Sequence, residues 1–268
     1  MRSFLILALF IGSLKIANAM NLPAGELVQI GQKIYQNECA SKPENLMHWN
    51  ANESFASMGI GHFIWFSEVT NQTDLRFEEQ FPELVRFISQ HQTLPAGLNW
   101  LTGSAPWNSK QAFLQFKHNA DSSQLKQWLI KTQSLQAQFI WSRFLKRLTR
   151  LKSQNALKKP EVSEILHQML RNPKTRFALV DYVNFKGWGD NPKERYQNQG
   201  WGLLQVLEKV ALVQGKPDRP VNFQQQELLE LFVHSAKQVL DSRIKNAPLS
   251  KNEGAWRNGW YVRLNGYL

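Results

Sequence analysis

The sequence predicts a mostly α-helical fold with one small β element near its amino end. Three observations lead there. Apolar residues recur at helical spacing through most of the chain. Glycine and proline are missing from long stretches, including the whole of 109–157. Alternating aromatic character is confined to Phe63, Ile64, Trp65 and Phe66.

The first residues read as an export signal. Arg2 supplies the positive start, Phe4 to Leu14 the apolar run, and Ala17-Asn18-Ala19 the small-residue end. The run is too short to span a bilayer, and nothing later approaches the roughly 20 apolar residues a span requires. The expectation is cleavage near Ala19 and a periplasmic or secreted protein without stable membrane insertion. No cysteine stands directly after the cleavage point to take a lipid, since residue 20 is Met.

Residues 20–268 are read as a single domain. Cys39 is the only cysteine of the 268 residues, which excludes an internal disulfide and leaves stability to packing. The chain carries a formal charge of +11, and the leader accounts for two of those charges through Arg2 and Lys15. A basic exported protein suits a polyanionic partner, and outside the cytoplasm cell-wall glycan or a lipid surface fits better than nucleic acid.

Taken in order, Leu22 to Asn37 has Pro23 at its start and Leu27, Ile30 and Ile34 at helical spacing, with the last turn reaching Glu38. Ser41 to Phe66 reads as a loop with a short strand or hairpin. Phe77 to Gln90 returns to helical spacing, and Thr93 to Pro106 is a connector. At least two helices are expected from Ser109 to Leu157. The most basic stretch, FIWSRFLKRLTRLK, is read as a solvated face above a buried Phe139, Phe144 and Leu148 edge. Helices follow from Pro160 to Leu170, Thr175 to Tyr182, Leu203 to Val213 and Gln224 to Ile244, with a glycine-interrupted loop over Gly187 to Gly202.

Chemistry concentrates near the amino end. Glu38 at a helix end is either a surface charge or, if its carboxyl is drawn out of water, a proton donor. Gly59-Ile60-Gly61-His62 follows 24 positions after it, counting to the histidine. Glycines permit close backbone approach, and a histidine in such a turn braces a carboxylate or hydroxyl. Trp49, Trp65, Trp188 and Trp201 lie in motif loops where sugar rings would stack on them. Tyr182, Asn184 and Lys186 lead into the glycine-rich loop. No HxxxH or paired-cysteine spacing supports a zinc site, and no phosphate-loop or dinucleotide motif occurs, so no metal or cofactor is expected.

The order glutamate, small polar residue, G-x-G-H turn resembles the phage-type lysozymes, the endolysin muramidases of the lysozyme-like superfamily. The resemblance implies an α+β lysozyme-like domain with Glu38 as the acid, Ser57 at the place of a common threonine, and Gly59, Gly61 and His62 in the turn. Asp181 to Gly187, Gly200 to Leu207 and Gly259 to Leu264 are looser matches, and about 67–175 is unmatched, as an enlarged helical insertion would be.

One departure stands out: no aspartate occurs between positions 39 and 61. Glycoside hydrolysis ordinarily uses two carboxyl groups. Glu53 is the candidate for the second, with Glu44 behind it. Lytic transglycosylases, related in fold, use a single glutamate, and Gly202-Leu203-Leu204-Gln205 faintly echoes their signature. The resemblance therefore implies an enzyme acting on β-1,4 linkages of peptidoglycan or a related N-acetylglucosamine polymer, and a monomer is the separate expectation. A lysozyme-like glycan-binding protein without catalysis is the alternative.

Overall fold

Helix α1, Ala24–Cys39, starts after Pro23 and buries Ile30, Gly31, Ile34 and Cys39 along one face. It stops because Ala40 and Ser41 take left-handed backbone angles, φ 51° and 55°. The Ala40 N–H then donates to the Gln36 carbonyl at 2.9 Å, which closes the last turn. Glu38 is left one residue from the helix end, above a buried cysteine.

The computed structural model describes residues 22–71, 74–154, 157, 159–214 and 225–268. The expected export signal at 1–19 lies outside the described residues. These residues are mostly helical with a small three-stranded antiparallel sheet. They divide into two compact units, one over Pro23–Ser142 and the other from Arg143 to Leu268.

In the first unit a short 3-10 turn, Pro43–Leu46, leads into β1, Met47–His48. Strands β2, Ala56–Met58, and β3, Phe63–Trp65, complete a sheet in the order β1-β2-β3. Ser57 is paired with His48 on one side and Ile64 on the other. The expected hairpin is present as β2 and β3, and β1 adds a strand where only loop was expected. Alternation decides what the sheet buries: Phe63 and Trp65 point into the core and Ile64 is half-exposed.

Helices α2, Phe81–Ser89, α3, Lys110–Phe116, and α4, Ala120–Lys131, follow, with a 3-10 stretch at Ala96–Thr102 before α3. Ser109 caps α3 and Asn119 caps α4, each accepting a backbone N–H from the first turn. Helix α5, Gln133–Ser153, contains the most basic stretch, and its Phe139, Phe144 and Leu148 are buried as its spacing requires. An aromatic cluster fills the core beside β3. Trp65 packs against Phe81 at 4.7 Å and Trp107 at 5.4 Å between ring centroids.

The second unit holds α6, Pro160–Leu170, α7, Pro173–Lys186, α8, Leu203–Gln214, α9, Gln225–Asn246, and α10, Arg257–Asn265. Helix α8 packs on α6, α7 and α9, and α10 lies against α9. A buried charge cluster ties α10 to α7. Arg263 grips the fully buried Asp181 through Nε and Nη2, both at 2.8 Å, and the Tyr267 hydroxyl donates to the same carboxylate at 2.6 Å. Among the described residues no helix is long and apolar enough to cross a membrane.

Candidate functional site

Glu38 and His62 meet. The Glu38 Oε2 lies 3.7 Å from His62 Nδ1, with the two side chains 16 % and 24 % exposed. His62 reaches this position because its own backbone is left-handed, φ 48°, which ends the turn after Gly61 and aims the ring back toward α1. On the other side of the ring, Nε2 is 3.1 Å from the Asn45 carbonyl. A carbonyl only accepts, so Nε2 carries a proton and Nδ1 faces the carboxyl. The two groups form an ion pair when the imidazole is protonated.

Cys39 sits beneath this pair with no solvent exposure. Its Sγ is 3.6 Å from His62 Nε2 and points at the Asn45 and Gly59 carbonyls. Burial, with the nearby Glu38 charge second, pushes the thiol up to about 12. The thiol is therefore protonated and unsuited to nucleophilic attack. Asn45 closes the arrangement by donating from Nδ2 to the Cys39 carbonyl at 3.0 Å.

A polar chain extends from the turn to the second candidate carboxylate. The His48 ring stacks on His62 at 5.5 Å with planes 15° apart. His48 Nε2 and Asn50 Oδ1 are 2.9 Å apart, and Asn50 Nδ2 donates to Glu53 Oε2 at 2.8 Å. Desolvation raises Glu53 above the ordinary carboxylate range, and the Asn50 bond works against that shift. Trp49 donates from its indole N–H to the Glu53 backbone carbonyl at 2.8 Å.

The turn itself is held from a distance. Gln136 on α5 accepts the Ile60 N–H at 2.8 Å and donates to the Leu129 carbonyl at 2.7 Å, fully buried. A Cβ on Gly59, whose φ is 73°, would stand 2.4 Å from the Gln136 Oε1. Glycine is required there by both angle and space. Ser57 lies in the middle of the sheet and is 6 % exposed. Asn45, His48, Asn50 and Gln136 carried no signal that sequence reading picked out; the His48 and Asn50 spacing, two apart beside a short strand, is the only local hint.

The aromatic platforms are corrected. Trp65 is fully buried, and its indole N–H donates to the Gly103 carbonyl at 3.0 Å, so it fills the core instead of facing a sugar. Trp49, Trp188 and Trp201 are buried as well. In the second unit Tyr182 is fully buried and donates to the Trp201 carbonyl at 2.9 Å; burial holds its phenol far above the ordinary range. Trp201 has the Arg243 guanidinium 4.1 Å over its ring. Asn184 and Lys186 are half-buried near the end of α7, with the Lys186 ammonium 3.7 Å from the centre of the Trp260 ring. Tyr182 and Trp201 therefore act through packing.

Among the described residues no group of three or more His, Cys, Asp or Glu is placed to hold a metal ion. Comparison of the chain with protein-family models, with curated proteins and with solved structures found no match.

Proposed function

We propose that the protein is an exported enzyme that cleaves β-1,4 glycan linkages of peptidoglycan, with Glu38 as general acid. The observation that carries this reading is the Glu38–His62 pair: a carboxyl one residue from a helix end, 3.7 Å from an imidazole nitrogen whose partner nitrogen is committed to the Asn45 carbonyl. The G-x-G-H turn and the strongly basic balance of the chain beyond the leader, suited to an acidic wall, add to it.

In this reading Glu38 gives its proton to the bridging oxygen as the bond from that oxygen to the anomeric carbon breaks. His62 holds the carboxyl in place and can return a proton to it through Nδ1. Water then adds to the anomeric carbon, and its proton passes to a second carboxylate, for which Glu53 is the candidate. The missing aspartate between 39 and 61 favours a second reading. With one carboxylate, the sugar's own hydroxyl displaces the glycan and an anhydro product lacking one water is released. A third outcome is a glycan-binding protein without turnover.

Clearing of a purified cell-wall suspension tests the proposal. Wild type is expected to clear it and Glu38→Gln to be slower by about 10²–10⁴, the usual contribution of a general acid. Equal clearing by both proteins removes Glu38 as the acid, and binding without clearing by both overturns the enzyme reading. Product mass then separates hydrolysis from anhydro-sugar release.

A further inference from the structure

The first unit carries a cavity that the Glu38 site does not use. It has a volume of about 510 Å³ and lies between the 3-10 stretch Ala96–Thr102 and the corner joining α3 to α4. Trp100, Trp107 and Phe116 form its aromatic walls, and Gln115, Asn119 and Asp121 line it as polar groups.

We propose that this cavity binds a pyranose ring of a glycan chain, as a second saccharide site separate from the one that holds Glu38. This rests on the glycan reading given above and extends it. Trp100 packs edge to face with both Trp107 and Phe116 and also stacks on Trp65 at 5.8 Å, so what a sugar would meet is the outer surface that the cluster leaves exposed. The Trp100 plane stands 84° from Trp107 and 76° from Phe116, with centroids 6.1 Å and 5.6 Å apart. Two of these rings, Trp100 and Phe116, are half-buried and still present surface. A pyranose has an apolar face of C–H groups and an equatorial rim of hydroxyls, so it matches an aromatic wall and a polar edge together.

The polar edge is selective in its chemistry. Asn119 Oδ1 already accepts the Ser122 N–H at 2.8 Å, so its amide N–H groups are what it offers a ligand. Asp121 provides two acceptor oxygens, suited to neighbouring hydroxyls, and Gln115 provides both donor and acceptor. None of the lining residues is lysine or arginine, although lysine and arginine together number 32 in the chain. The one charge on the lining is therefore the Asp121 carboxylate, held in the first turn of α4, and it disfavours an anionic ligand more than a neutral sugar.

Tri-N-acetylchitotriose is the probe, titrated into the Glu38→Gln protein so that it is not consumed, with tryptophan indole N–H signals followed by NMR. Saturable shifts of the Trp100 and Trp107 signals are expected. Asp121→Ala and Gln115→Ala, both at exposed positions, are expected to weaken that binding at least several-fold. Trp100→Ala is expected to weaken it at least tenfold and is read only if its circular dichroism matches the parent. Shifts confined to tryptophans away from the cavity, or no change in affinity in Asp121→Ala and Gln115→Ala, overturn the proposal. Wall clearing scored in parallel keeps the two readings apart. Clearing without Trp100 shifts removes the cavity site alone, and Trp100 shifts without clearing leave a saccharide-binding protein whose Glu38 is not catalytic.

Discussion

Cys39 gives a quantitative test of how tightly the Glu38 corner is closed. Its thiol has no exposure, and burial beside Glu38 moves it from an ordinary 9.0 to about 12. At pH 8 an ordinary thiol is ionised to about one part in ten, and one at about 12 to about one part in ten thousand. Because the thiolate is the reactive form, labelling of the native protein by a chromogenic disulfide should be at least ~1,000-fold slower than labelling of the urea-unfolded chain. Glu38→Gln removes the smaller of the two causes and should quicken the reaction by far less than unfolding does. The same shift predicts a stability change with a definite sign. Below pH 9 both states keep the proton and the native advantage is complete. Between pH 9 and about 12 the unfolded chain ionises first, so stability falls as pH rises, by about 1.4 kcal/mol per unit and at most about 4 kcal/mol. Cys39→Ala should lose this alkaline slope. Native labelling at the unfolded rate, or an unchanged slope in Cys39→Ala, would refute the closed-corner reasoning.

Three further outcomes follow from named contacts. Asp181→Ala leaves the Arg263 guanidinium and the Tyr267 hydroxyl without their shared buried acceptor. It should cost about 3–5 kcal/mol in denaturant unfolding, and adding Arg263→Met should recover part of the loss. Gly202→Ala would put a Cβ 2.1 Å from the Gly189 backbone nitrogen, a contact that no side-chain rotation relieves. It should lower the melting temperature sharply, whereas Gly259→Ala on α10, with nothing within 4 Å, should be neutral or raise stability by about 0.5–1 kcal/mol. Asn50→Ala removes the bond that holds Glu53 down against desolvation, so Glu53 should titrate higher still by carbon NMR. The carboxyl, already raised, then opposes folding over a wider interval as pH rises through its folded pKa.

The helices were legible where period and caps agreed. The start of α8 at Leu203 follows from apolar spacing and from the glycines before it, and the last turn of α1 was expected to reach Glu38, one residue short of its end at Cys39. Boundaries shifted where longer contacts intervened. Helix α2 begins at Phe81, not Phe77, because the preceding residues are drawn to the sheet: Glu79 accepts the Phe66 N–H at 2.7 Å and Gln80 donates to the Ile64 carbonyl at 2.9 Å. Helix α7 begins at Pro173 because Asn172 caps it by accepting the Lys174 N–H, a signal present in the sequence as Asn-Pro but passed over. Strand β1 is two residues long, too short for period-two alternation to show.

The candidate site divides the same way, and the division has a physical cause. Glu38 and His62 were found because a helix end and a glycine turn are local features, each set by a few neighbouring residues. What positions them is not local. Gln136 supports Ile60 from 76 residues away, through a buried amide whose residue type says nothing of its partner. The tryptophans failed for a related reason. Alternation put Phe63 and Trp65 on one face, but only the tertiary cluster of Phe81 and Trp107 determined that this face was the core. An aromatic residue carries the same pattern whether it stacks on a sugar or on another ring. Trp100 and Phe116, which keep part of their aromatic surface accessible, belong to a stretch without any motif. Their partial exposure follows from the placement of a 3-10 turn beside a helix corner, and spacing along the chain does not encode that placement.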